Sequence, residues 1–268
     1  STLKVFNAAL VFENNPELAK KKFSIKKGYQ ITPEKLIKDE HITKKKITFE
    51  EIFTKSSNVG SIKLIDQIGI KEQRELFEKL NFNNRIELHG LNVVKNQFPK
   101  IWDSQASRFI SYGYGISISP ISLITAYASL VNGGLRVNPR INLKKEIENK
   151  RIFKNKTSQQ INLLLNEIVK RGTGKKANVL GVAVGGKTGT SKKLENGKYS
   201  EKKVITSFIG TFPIDKPKYL TFVLFDEPRR NTSESLENFG GNTAAPTFSR
   251  IIRKISPILN KNNYLNFD

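Results

Sequence analysis

The hydrophobic period of this chain changes partway along, and that change limits the folds open to it. Up to about residue 171 the apolar residues recur at helical spacing; from 179 to 227 they fall in short β-rich runs; the last stretch returns to a helical period. The spacing predicts helices over 1–13, 59–69, 71–81, 120–132 and 158–171, strands over 179–191, 204–213 and 219–227, and a closing helix over 244–259. Gly69, Gly133-Gly134 and Gly172-Thr173-Gly174 end helices, and Pro120 opens one. Residues 14–50 are polar and Lys-rich, with Gly28 and Pro33 as breakers, and read as loops and short elements. Residues 82–119 read as irregular. The strand connections are short and polar, as an antiparallel meander requires. The expectation is α+β: helices packed on a mainly antiparallel sheet. No repeat or long linker divides residues 1–268, so a single domain is expected.

The first helix is apolar nearly all round. Val5, Ala8, Ala9 and Phe12 line one face, and Leu3, Phe6 and Leu10 cover much of the rest. A helix of this kind is a buried one.

Composition removes several chemistries. The chain has no Cys, which excludes disulfides, Cys-ligated zinc, iron–sulfur clusters and thiol catalysis. Its two histidines, His41 and His89, are too few for a His-rich metal site, and a Ser-His-Asp triad would need one of them. No apolar run approaches the length of a membrane span. The net charge is +22, from 35 Lys and 11 Arg against 24 acidic residues. The Lys residues are spread along the chain, whereas specific nucleic-acid readers lean on Arg. With 25 Asn and abundant Ile as well, a solvated cationic surface is the first reading, and attraction to headgroups, wall polymers or nucleic acid the second.

Three motifs carry chemistry. Ser1 and Lys4 stand at i and i+3, one turn apart on a helix. A Ser hydroxyl becomes a nucleophile when a base takes its proton, and burial can lower a Lys into that role. About 2.6 Ser-x-x-Lys matches are expected by chance. Three occur: Ser1/Lys4, Ser24/Lys27 and Ser200/Lys203, and the first alone opens an apolar helix. Second, Ser56-Ser57-Asn58 precedes a predicted helix, where Ser56 and Asn58 can point a hydroxyl and an amide the same way, or Ser57 or Asn58 can simply cap. Third, Lys187-Thr188-Gly189-Thr190 is expected about 0.01 times by chance. It puts a cation on an apolar strand flanked by glycines, which leave room for another backbone. Gly181, Gly186, Lys187 and Thr188 also satisfy a P-loop letter pattern, a competing reading that would need a helix to follow.

In this order the three motifs resemble the transpeptidase domain of penicillin-binding proteins. Tyr112-Gly113-Tyr114-Gly115 through Pro120, Lys170-Arg171-Gly172-Thr173-Gly174 and Gly240-Gly241-Asn242-Thr243-Ala244-Ala245-Pro246 match further parts of that family. Lys55-Ser56-Ser57-Asn58-Val59-Gly60 and Lys187 to Lys193 look most like the septal class B (FtsI-like) type, with elongation-type relatives the near alternative.

The resemblance implies a serine D,D-transpeptidase that cross-links peptidoglycan stem peptides. Ser1 would attack the D-Ala-D-Ala carbonyl and Lys4 would take its proton. Ser56 would pass a proton to the departing amine, and Asn58 would hold substrate backbone. Lys187 would supply positive potential. Thr188, Gly189 and Thr190 would bind the substrate, the two hydroxyls at its carboxylate. The backbone N–H groups of Ser1 and Thr190 would form the oxyanion hole. β-Lactams would acylate Ser1, and no metal or organic cofactor is implied. Lipid-linked precursor, an FtsW-type glycosyltransferase and division proteins are the implied partners, with no specific nucleic acid; the setting is an inner membrane with the domain in the periplasm. A chain that opens on Ser1 reads as a domain partial at its N-terminus, lacking the family's upstream strands and leaving a sheet edge exposed. The competing readings are a D,D-carboxypeptidase, a β-lactamase or a β-lactam sensor of the same fold. The absence of a Glu-x-x-Leu-Asn motif disfavours a class A β-lactamase. A cationic polyanion-binding protein is the reading from a different class.

Overall fold

The structure is a computed structural model that describes residues 1–39, 41–88, 90–141, 150–195, 197–229 and 239–261. The chain gathers into two compact units, one of residues 3–161 and one of residues 1–2 with 162–268.

The larger unit is built around α1 (Lys4–Asn14), whose residues Lys4 to Val11 are all buried. Its all-round apolar surface is used: Phe6 meets Phe82 and Tyr127 edge-on, with ring centres 6.0 and 5.5 Å away. Asn7, the polar exception on this helix, donates from Nδ2 to the Ser111 carbonyl at 2.7 Å, so its burial leaves no unpaired amide donor. The Lys-rich stretch that follows forms two small antiparallel ribbons. β1 (Lys22–Ser24) pairs with β4 (Lys46–Thr48), and β2 (Tyr29–Thr32) with β3 (Lys35–Ile37). Phe23 and Ile47 face each other in register and are buried, and the flanking lysines are exposed.

Helix α2 (Phe49–Thr54) starts at a complete capping box. Thr48 accepts from the Glu51 amide, and the Glu51 carboxylate accepts from the Thr48 amide. Helices α3 (Asn58–Ile68) and α4 (Ile70–Lys79) are separated by Gly69 at φ 113°, a conformation that a side chain would resist. Next come α5 (Ser104–Ser111) and α6 (Pro120–Val131), the latter capped by Ser119 with Pro120 at its first position. Helix α7 (Asn155–Arg171) begins in this unit and ends in the other.

Among the described residues of the second unit, β5 (Gly185–Glu195), β6 (Lys198–Phe212) and β7 (Tyr219–Asp226) form an antiparallel sheet in that order. Helix α8 (Ala244–Lys261) lies against β6 and β7. Phe248 of α8 meets Phe208 of β6 at 4.8 Å between ring centres, and both are buried. Gly186 and Gly210 face each other in register beneath these rings. A Cβ on Gly210 would come within 2.8 Å of the Phe248 ring, so glycine there provides a flat seat for the aromatic pair.

The α+β expectation holds, with differences in detail. Helix α1 starts at Lys4, so Ser1 lies ahead of the helix and not within it. Residues 104–111, expected to be irregular, form α5; Asp103 caps it, accepting from the Ala106 amide at 2.8 Å, and its buried face is only Ser107, Ile110 and Ser111. At eight residues the helix is shorter than the stretch over which a helical period stands out from its surroundings. The strand expected over 179–191 begins at Gly185, because Val179 to Val182 close a tight turn at Gly181, φ 76°. Strand β6 begins six residues earlier than its apolar run, pairing Lys198 with Glu195 across a two-residue connection. That end of the hairpin is charged and solvated, and Lys203 reaches Glu195 at 2.6 Å there. Ladder bonds sustain it without an apolar face.

Truncating Phe248 to Ala should destabilise the fold by about 3–5 kcal/mol. Urea unfolding of the two proteins would measure it; a difference well below that range would mean that the ring is not the anchor between α8 and the sheet.

Candidate active site

The larger unit brings Lys4 and Ser56 together. Lys4 opens α1 and is fully buried. Its Nζ donates to the Ser56 carbonyl at 2.6 Å and to Ser56 Oγ at 3.1 Å. Burial pushes the Lys4 amine down from its usual range to about 7, and the negative charge of Asp39 opposes the shift only in part. Near neutral pH the amine is therefore divided between a proton donor and a free base.

Ser56 sits in the turn between α2 and α3 at φ 58°, the left-handed region that residues with a Cβ seldom occupy. The Ser57 amide donates to the Ile52 carbonyl at 2.8 Å and locks that turn. Gly60 lets α2 and α3 close on it, since a Cβ there would lie 2.7 Å from Ile52 Cγ1. Ser57 caps α3: its Oγ accepts from the Gly60 amide at 2.8 Å. The capping alternative thus applies to Ser57. The Ser56 hydroxyl is directed to Lys4, and the half-buried Asn58 side chain makes no hydrogen bond to another described residue.

The smaller unit gathers the third motif with the chain start. Lys187 lies on β5, fully buried, with Nζ 3.1 Å from the Thr188 carbonyl and 3.4 Å from Thr188 Oγ1. Thr188 Oγ1 also shares a hydrogen bond with Thr173 Oγ1 at 2.7 Å. Thr190 Oγ1 accepts from the Gly240 amide at 3.0 Å. A hydroxyl has one proton, and this bond leaves the Thr190 proton available to a ligand. Strand β5 is an outer strand of the described sheet. The methyl group of Thr2 lies over Gly189, where a Cβ would come within 3.1 Å of it. Residues 1–2 are thereby packed on the Lys-Thr-Gly-Thr strand, with Ser1 half-buried beside it.

The rival motifs are not built in this way. Strand β5 continues to Glu195 and no helix follows Thr188, so the P-loop reading fails. Ser24 and Lys27 are both exposed. Ser200 accepts from the Lys203 amide, and the Lys203 ammonium pairs with Glu195. His41 is exposed, and His89 lies outside the described residues. Among the described residues no group of three or more His, Cys, Asp or Glu could hold a metal ion, and no helix is long and apolar enough to cross a membrane.

Three residues that sequence reasoning gave no role stand out. Asp39 faces the Ser56-Ser57-Asn58 turn, Thr173 touches Thr188, and Gly240 donates to Thr190. Thr173 and Gly240 fall in turns that the family resemblance covered. Asp39 had no local signal, because its partners are 18 to 20 residues away.

Comparison with known proteins gives the family of the chain. The family profile described as the penicillin binding protein transpeptidase domain matches residues 1–253. The probable peptidoglycan D,D-transpeptidase FtsI of Caulobacter vibrioides is 30% identical over 273 residues, covering 97% of this chain and 46% of that protein. The probable peptidoglycan D,D-transpeptidase PenA of Neisseria meningitidis serogroup B is 32% identical over 234 residues, covering 84% of this chain and 38% of that protein. The apo transpeptidase domain of Burkholderia pseudomallei penicillin-binding protein 3 superposes with a TM-score of 0.86 at 26% identity, covering 97% of this chain and 78% of that one. The chain spans less than half the length of these two curated relatives. By motif, fold and profile, it belongs to the penicillin-binding protein transpeptidase domain family.

Proposed function

We propose that this chain is the catalytic domain of a peptidoglycan D,D-transpeptidase of the septal type. One observation carries the reading: a fully buried lysine, its amine lowered to about 7, is hydrogen-bonded to a serine hydroxyl and stands three residues from a second serine. A lysine in that state can take a proton from one hydroxyl and hand it on through another.

Ser1 Oγ attacks the carbonyl of the penultimate D-Ala as its proton passes to Lys4. The oxyanion is held by the amides of Ser1 and Thr190. Collapse of the tetrahedral intermediate breaks the C–N bond. Lys4 returns the proton through Ser56 to the departing D-Ala amine, leaving an ester on Ser1. The amine of a neighbouring stem peptide then attacks that ester, gives up its proton by the same route and restores the Ser1 hydroxyl. Asn58 and Gly189 hold substrate backbone, and Thr188 and Thr190 bind the terminal carboxylate. The Gly240–Thr190 hydrogen bond supports this role, since it leaves the Thr190 proton to donate. Lys187 adds positive potential for the same carboxylate. A β-lactam would form the same ester, but its ring opens without losing a leaving group, so the adduct persists.

The whole protein would work at the outer face of the inner membrane on lipid-linked precursor and nascent glycan. An FtsW-type glycosyltransferase and division proteins would be its partners, as the resemblance to septal class B enzymes implies. A carboxypeptidase would share every step to the ester and differ in using water.

Incubation with benzylpenicillin followed by intact-mass spectrometry should show one stable adduct, absent from Ser1→Ala. Catalytic turnover of the antibiotic would instead make the protein a β-lactamase. With a D-Ala-D-Ala stem peptide and an acceptor amine, amide product should exceed hydrolysis product; the reverse ratio would identify a carboxypeptidase. Only the neutral Lys4 amine accepts a proton, so the acylation rate should rise with pH through about 7 and level off above it. Lys4→Arg should lower the rate by about 10²–10⁴-fold. A rate flat from pH 5 to 9 would remove Lys4 as the base.

A further inference from the structure

We propose that Asp39 is a positioning residue for the acylation centre: its carboxylate holds the Ser56-Ser57-Asn58 turn in the conformation that presents the Ser56 hydroxyl to Lys4. This rests on the transpeptidase reading and extends it to a residue outside the three motifs.

The two oxygens of Asp39 have separate partners. Oδ2 accepts from the Ser57 hydroxyl, and Oδ1 accepts from the Asn58 amide at 2.7 Å and more weakly from the Val59 amide at 3.4 Å. Ser57 Oγ accepts in turn from the Gly60 amide at 2.8 Å. The first three amides of α3, which have no partner inside the helix, are thus all satisfied through one carboxylate and one hydroxyl. A helix N-terminus favours an anion there. An ordinary cap comes from the residue next to the helix; this one comes from just past β3, 18 to 20 residues upstream.

The placement matters because of what adjoins it. Ser56, immediately before Ser57, is held left-handed, and such a residue persists only where its surroundings over-determine it. On one side the Ser57 amide is tied to the Ile52 carbonyl, and Lys4 holds the Ser56 carbonyl. The Ser56 amide itself donates to the Phe53 carbonyl at 3.2 Å, and Asp39 restrains the other side, through the Ser57 side chain and the Asn58 amide. Removing it frees α3 to turn relative to Ser56, and with it the Asn58 side chain on the first helical turn. The charge acts on the centre as well: Asp39 opposes the effect of burial on Lys4. It therefore sets both where Ser56 points and how readily its lysine partner gives up a proton.

The test compares Asp39→Ala and Asp39→Asn with the unaltered full chain, reading the second-order rate of acylation of Ser1 by benzylpenicillin, its pH profile and the melting temperature. Asp103→Ala, which removes the cap of α5, serves as a control of comparable stability loss. Asp39→Ala should acylate more slowly by between about tenfold and a hundredfold, the range expected for a misplaced catalytic group. Asp39→Asn, which keeps an acceptor for the Asn58 amide, should fall between Ala and the original. It should also move the acid limb of the profile to lower pH, since the charge opposing the Lys4 shift is gone. Asp103→Ala should acylate normally. Equal rates in all variants, or a loss shared by Asp103→Ala with no movement of the limb, would overturn the proposal while leaving the transpeptidase reading intact. Failure of the unaltered chain to acylate would overturn both.

Discussion

The burial of one amine governs the chemistry of this protein. Lowering Lys4 to about 7 corresponds to roughly 5 kcal/mol of disfavour for its charged form. That cost comes from removing water from the amine, and the helix that carries it is buried from Lys4 to Val11. Phe6, Phe82 and Tyr127 close around α1, and even the polar Asn7 is absorbed by the Ser111 carbonyl. The two hydrogen bonds to Ser56 give the amine partners, and the charge of Asp39 offsets part of the penalty without cancelling it. Were that charge strong enough to cancel it, Lys4 would be a permanent cation and no base. Were the bonds absent, an unpaired buried amine would destabilise the fold.

The second motif shows how strain and capping cooperate. A left-handed Ser56 is unfavourable in isolation and holds here because the turn on either side is fixed. Gly60 matters for the same reason, as the close approach of α2 and α3 has no space for a side chain. The third motif uses a different device. On β5, neighbouring turns set the hydroxyl protons: Gly240 donates to Thr190, and Thr173 shares a hydrogen with Thr188. Both motifs place polar groups on rigid elements and aim them with bonds from outside those elements, which is the usual requirement for a precise site.

The helices were legible because each carries its signal locally. Pro120 and Gly133-Gly134 bound α6, Gly69 stops α3, and the apolar band of residues 3–12 marks a buried helix. Helix α5 was not legible, since two turns are too short for a helical period to stand out within the irregular stretch around it. The β5 boundary was missed because Val179 and Val184 are buried as a strand would be, yet a turn at Gly181 separates them. In the site, Ser-x-x-Lys and Lys-Thr-Gly-Thr were visible as motifs, whereas Ser56-Ser57-Asn58 could not be told from a cap until the structure assigned the capping to Ser57 and Asp39 and the Ser56 hydroxyl to Lys4.

By itself the sequence determined the α+β class, the order of the elements and the identity of the motif residues, because periodicity, turn chemistry and residue type are properties of neighbours in the chain. The tertiary structure alone decided that Lys4 is dry, that its amine meets Ser56, and that Asp39, Thr173 and Gly240 attend the motifs. Desolvation depends on everything packed around a group, and hydrogen bonds between residues 15 to 52 apart have no period along the chain.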